Sequence, residues 1–123
     1  MVGYEALGYI GTETANQFLR KEFTLAQCGF LQSQIVLSLG TAQDIKSSRQ
    51  FLSLLNHPDP DLRDSVIIAL GKTKEVRAVP RFKEMYAKTT ESSRILIVQA
   101  LKDIGSPEAS DLLSEIVKGQ TIF

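Results

Sequence analysis

Apolar residues recur along this chain at two spacings, one of three to four residues and one of 31. The short spacing is that of an amphipathic helix. It picks out Leu62, Val66, Ile67, Ala69 and Leu70, and then Val76, Val79, Phe82, Met85 and Tyr86. The long spacing sorts the chain into columns. Leu39, Leu70 and Leu101 share one, and Ser38, Ala69 and Ala100 a second. Ile35, Val66 and Ile97 form a third, and Phe51, Phe82 and Leu113 a fourth. Short polar clusters such as Asn56-His57-Pro58-Asp59-Pro60-Asp61 separate the helical stretches. No alternating run of strand type competes with them.

The columns define four units: a partial one over 1–23, then 24–56, 57–88 and 89–119. Units two to four align without gaps from Phe30 onward. Unit one joins after a one-residue slip that matches Ala6-Leu7, Ile10-Gly11 and Ala15 to Ala100-Leu101, Ile104-Gly105 and Ala109. Each unit predicts two helices. In unit three Pro60 belongs in the first turn, where its missing N–H costs nothing. Gly71 is expected to end that helix in a left-handed conformation, with Lys72-Thr73-Lys74-Glu75 as the turn. Pro80 falls in the first turn of the second helix. In unit four Ser92 or Ser93 starts the first helix, Ile95, Leu96, Ile97, Val98 and Leu101 fill it, and Gly105 marks the turn. Ser106-Pro107-Glu108 reads as cap, first helical residue and dipole partner of the second helix.

A hairpin this small buries its apolar face only against its neighbours. The expected fold is therefore all-α: a right-handed α-solenoid of about four stacked hairpins in a single domain, 1–123.

Composition narrows the function classes. The chain has 123 residues and balanced charge, 14 basic against 14 acidic, which argues against duplex DNA or RNA as the main partner. Its single cysteine, Cys28, forms no internal disulfide, and a reducing, cytosolic setting is expected. No apolar run approaches the ~18 residues of a membrane span, and Met1-Val2-Gly3-Tyr4-Glu5 lacks a signal-peptide layout.

Candidate chemistry is sparse. His57 is the only histidine and precedes Pro58 in a loop, with no nucleophile or metal ligand nominated beside it. Cys28 lies near a helix start, where a thiolate is favoured, but a small buried filler is the expected role. Asp59 and Asp61 flank a proline and read as helix-start residues rather than an acid/base pair. Gly8-Tyr9-Ile10-Gly11 is too short for a phosphate or dinucleotide loop. No catalytic constellation, metal site or cofactor is expected.

Asp59-Pro60-Asp61-Leu62-Arg63, followed by Ala69-Leu70-Gly71 and Arg77-Ala78-Val79-Pro80-Arg81-Phe82, resembles the short HEAT-like repeats named for phycobilin lyases. Unit four answers with Arg94, Ala100-Leu101, Ile104-Gly105, Ser106-Pro107-Glu108-Ala109 and Leu112-Leu113, and unit one with Ala6-Leu7-Gly8 and Ile10-Gly11. Unit two departs most, with Gln32 for the expected Arg and Ser38 for the expected Ala. The resemblance implies an α-solenoid that serves as a protein-binding scaffold. Iron-binding hydroxylases of this architecture use several His-Glu pairs, which one histidine cannot supply. DNA glycosylases on related scaffolds present a basic, aromatic groove, and this chain has no Trp.

The resemblance also implies that Arg63 and Arg94 tie units together through acids such as Asp44, Asp61, Glu75 or Glu91, and that the second helices line the concave surface. Units two and three would then present Lys46, Arg49, Arg77 and Arg81 there, and unit four Glu108, Asp111 and Glu115. The segment 63–88 carries an excess of +4 and the segment 91–118 one of −2. The expected function is a non-enzymatic protein–protein scaffold, its partner held by Lys46, Arg49, Arg77 and Arg81 at one end and by Asp111 and Glu115 at the other. The alternatives are nucleic-acid backbone binding through 63–88, or a lyase-like accessory role on a prosthetic group or its carrier. The ends look uncapped: Tyr4, Leu7, Tyr9 and Ile10 at one, Ile122 and Phe123 at the other. That predicts a fragment of a longer array, or self-association through the ends.

Overall fold

The computed structural model describes residues 2–122, and the side chains of 6–119. They form eight α-helices and one 3₁₀ turn, with no strand among the described residues. The helices are α1 (Val2–Ile10), α2 (Glu13–Leu25), α3 (Gly29–Thr41), α4 (Ser48–Leu54), α5 (Pro60–Lys72), α6 (Ala78–Tyr86), α7 (Glu91–Ile104) and α8 (Pro107–Ile122). The 3₁₀ turn Ile45–Ser47 leads into α4. Their starts follow local chemistry. The Thr12 hydroxyl accepts from the Ala15 amide, Asp59 from Asp61, Thr90 from Ser93 and Ser106 from Ala109, each satisfying an otherwise orphan donor. Helix α7 is thus capped by Thr90 and begins at Glu91, not at Ser92 or Ser93.

The chain leaves α1, α3, α5 and α7 through one repeated device. Gly11, Gln43, Lys74 and Gly105 occupy one column and all have positive φ, from 55° to 66°. Gly71 does not: it is the penultimate residue of α5. The left-handed residue falls three positions later because the helix end is closed from beyond it. The Glu75 amide donates to the Leu70 carbonyl at 3.1 Å, as Asp44 does to Leu39 at 3.0 Å. Gln43 and Lys74 accept a backbone cost of about 1 kcal/mol there that Gly11 and Gly105 do not.

Gly71 serves packing instead. Helices α1, α3, α5 and α7 stack on one another in series, and each hairpin lays its second helix behind them. At every step a glycine meets a small residue of the next unit: Gly8 on Ser38, Gly40 on Ala69, Gly71 on Ala100. A Cβ on Gly40 or on Gly71 would lie 2.8 Å from the Cα of the opposing alanine, closer than side chains tolerate. The first helices are therefore in backbone-to-backbone contact. Among the second helices, only α6 and α8 adjoin more than marginally. A two-layer stack spaced more tightly in one layer bends toward that layer. The inner face belongs to α1, α3, α5 and α7, which reverses the expectation that the second helices line it.

Between the layers runs the core. Ile35, Val66 and Ile97 are fully buried, as are Leu70, Leu101 and Phe82, and Leu39 and Phe51 nearly so. Val76 lies outside the stripe assigned to it: it precedes α6 and is 46% exposed.

Candidate interaction surface

The six charged residues singled out from the sequence all lie on second helices or the turns that enter them, and hence on the outer layer. Lys46 is in the 3₁₀ turn, Arg49 on α4, Arg77 at the N-cap of α6, Arg81 on α6, and Asp111 and Glu115 on α8. Three are engaged by neighbours. Lys46 pairs with Glu13 at 3.2 Å, Glu115 with Lys83 at 3.6 Å, and Arg77 with Glu75 at 2.6 Å. Among the described residues no ion pair reaches Arg49, Arg81 or Asp111. The basic-to-acidic gradient is thus partly cancelled in place. Arg77 holds the Glu75 carboxyl below the usual glutamate range, mainly through their hydrogen bond, and Arg20 and Lys46 do the same to Glu13.

These shifts carry a pH dependence. A carboxyl whose folded pKa is depressed stabilises the fold above its unfolded pKa, and that contribution is lost as pH falls through the folded value. Stability should therefore decline on acidification through and below the ordinary glutamate range. In Glu75→Gln the decline should be shallower, as read from urea midpoints taken at successive pH values.

The ties between units differ from those expected. Among the described residues Arg94 reaches no acid. Its Nε donates to the Tyr86 carbonyl at 2.8 Å, and its guanidinium lies 5.0 Å from the centre of the Tyr86 ring. The carbonyls at the end of α6 lack helical partners and concentrate partial negative charge, which a half-buried cation satisfies. Among the described residues no ion pair joins Arg63 to an acid. The inter-unit ion pair with a buried member is instead Arg20–Asp44 at 2.6 Å, in which Asp44 also accepts from the Ser47 hydroxyl; the exposed pairs Lys46–Glu13 and Lys83–Glu115 cross between units as well. A further tie is the Ser93 hydroxyl, which donates to Asp64 at 2.7 Å.

The lone histidine and cysteine both lie just before first helices, His57 ahead of α5 and Cys28 ahead of α3. His57 Nδ1 accepts from the Asp59 amide at 3.0 Å, a local turn contact. Cys28 precedes α3 and is exposed, so the buried-filler reading does not hold. Among the described residues no three His, Cys, Asp or Glu side chains gather as a metal site would require.

The inner face carries a row that the sequence reading did not single out. Ile68 sits two residues from Val66, about 200° round the helix, and so points away from the core. Leu37 occupies the same place on α3, and Gln99 on α7. Leu37 and Ile68 are half-buried, and Phe30, two turns before Leu37 on the same side of α3, is 62% exposed. Thr41, Lys72 and Asp103 run alongside; the Lys72 ammonium donates to the Thr41 hydroxyl at 3.4 Å, and Gln43 Nε2 to the Lys72 carbonyl at 3.3 Å. The available signal was an apolar residue off the core stripe, repeated at the 31-residue spacing.

Two overlapping stretches of the chain, residues 26–102 and 48–121, match the family profile of HEAT repeats. This chain belongs to the HEAT-repeat family. Comparison with curated proteins returns no match. HEAT repeats are generally elements of protein-interaction scaffolds, and the two-layer geometry accords with that use. No helix among the described residues of this HEAT array is long and apolar enough to cross a membrane.

Proposed function

We propose that this HEAT array is a non-catalytic scaffold that holds a protein partner along its inner face. The observation that carries the reading is the row Phe30, Leu37 and Ile68, borne on helices that their glycine contacts lock together. A partner segment that covers this row gains apolar burial, while Lys72 and Asp103 set its orientation. Ion pairing of Lys46, Arg77 and Lys83 by the protein's own acids weighs against a phosphate-binding outer surface. A phycobilin lyase-like accessory role is a narrower form of the same proposal, in which the partner carries a prosthetic group. A cytosolic setting fits an exposed, unpaired Cys28.

The outer-face charges supply the competing site, and one experiment separates the two. The wild-type chain, Leu37→Asp/Ile68→Asp and Arg77→Glu/Arg81→Glu are used as bait in extracts of the native host, with circular dichroism to verify folding. Loss of the partner by well over tenfold with the Leu37/Ile68 pair, and retention with the arginine pair, is expected. The opposite pattern moves the site to the outer layer. Capture of nucleic acid that falls steeply with salt would replace the protein reading.

A further inference from the structure

Among the described residues no element packs on the outermost side of α7, and two columns change there. The glycine column runs Gly8, Gly40, Gly71 and then Lys102. The column that gives Ser33 and Asp64 gives Ile95. A further hairpin would have to bring its backbone against Lys102 where only glycine leaves room, and would lose the Asp64-type acceptor as well. The glycine seam does not continue across this face, so a fifth stacked unit is not its natural occupant. The face is nonetheless sticky: Ile95 is 65% exposed, Val98 is half-buried, and both line an open groove of about 800 Å³ with Tyr86 and Ile116.

The exposed stripe of α7 reads Glu91, Ile95, Val98, Lys102. Its steps of four, three and four residues are those of a coiled-coil seam. The stripe is also its own complement. Its midpoint lies between Ile95 and Val98, with the anion at one end and the cation at the other, about 16 Å apart along the helix. A two-fold axis through that midpoint lays α7 antiparallel on a second α7. Ile95 then meets Val98 of the other copy, and Glu91 meets Lys102, each contact occurring twice. Among the described residues no ion pair engages either Glu91 or Lys102. We infer that this face is an isologous dimer interface: α7 of one copy packs antiparallel on α7 of a second copy, with Glu91 and Lys102 paired reciprocally. A stable dimer buries roughly 1,200 Å² or more, so Tyr86 and Ile116 beside the seam must take part. The inference is independent of the scaffold proposal, since the seam lies on the outermost side of α7 and not on the inner face.

Sedimentation equilibrium and light scattering on the full chain test it. The wild type should show twice the 13.6 kDa chain mass at micromolar concentration. Glu91→Lys and Lys102→Glu each set like charges against one another at both ends of the seam, and each should weaken association at least tenfold. The double variant Glu91→Lys/Lys102→Glu restores both contacts and should recover the dimer. Ile95→Asp should give a monomer with unchanged helicity, while Lys21→Glu on α2 should leave the dimer intact. A wild type that stays monomeric at 100 μM, a dimer indifferent to Ile95→Asp, or a double variant no better than the singles would each overturn the inference.

Discussion

Replacing Gly40 and Gly71 together with alanine is expected to destabilise the array by about 2 kcal/mol, although alanine is the better helix former. Propensity alone predicts a gain of about 1 kcal/mol at each position. Against it stands the contact: each new Cβ would lie 2.8 Å from the Cα of Ala69 or Ala100. The obstacle is backbone, so no rotamer change relieves it. The helices must separate, at an overpacking cost of about 1–3 kcal/mol per site. Gly119→Ala is the control of opposite sign. Nothing lies within 4 Å of the Cβ position there, so propensity acts unopposed and stability should rise by up to about 1 kcal/mol. Ala100→Gly should rescue Gly71→Ala only in part, because the Ala100 Cα remains in the way. Urea melts followed at 222 nm decide the matter. A double variant as stable as the wild type would show that the first-helix layer is not held at backbone contact.

Phe82→Ala is expected to be the most damaging single substitution, at about 3–5 kcal/mol. The ring is fully buried in α6, in the column shared with Phe51. It belongs to one apolar cluster with Val79, Leu70 and Leu101 of units three and four. Truncation removes the burial of a large side chain and leaves a cavity that rigid neighbours cannot collapse. For a chain of this length, such a loss lowers the melting temperature by on the order of 10–15 °C. Val76→Ala is the comparison from the same sequence stripe. At 46% exposed it should cost less than about 1 kcal/mol, and equal losses from the two would contradict the assigned core.

The helices and their order were legible because each is amphipathic and because the unit recurs. Asp59-Pro60 and Ser106-Pro107 mark helix starts by local hydrogen bonding, which needs no tertiary context. The role of Gly71 was not legible. A glycine near a helix end serves equally for a left-handed exit or a close approach, and only the position of Ala100 distinguishes them. The exits of α3 and α5 instead use Gln43 and Lys74, which have no propensity for that conformation and adopt it because Asp44 and Glu75 close the preceding helices.

The candidate surfaces were legible only in part. Charge at Arg77 and Lys46 was visible in the sequence, but Glu13 lies 33 residues from Lys46 and reaches it only through the fold, while Glu75 meets Arg77 two residues on through the turn that leads into α6. Arg94 was expected to seek an acid and found the carbonyl that ends α6, because helix ends are anionic without any acidic side chain.

By itself the sequence determined that this protein is a row of helical hairpins sharing one apolar spine, since hydrophobic spacing and repeat length are properties of the chain alone. Which layer faces inward was decided by the tertiary structure, because curvature follows from the difference in spacing between two layers. The same is true of the residues that reach solvent on that face. A column of small residues announces a close contact, but only the stacked backbones show which helices make it and which side of the molecule is left open.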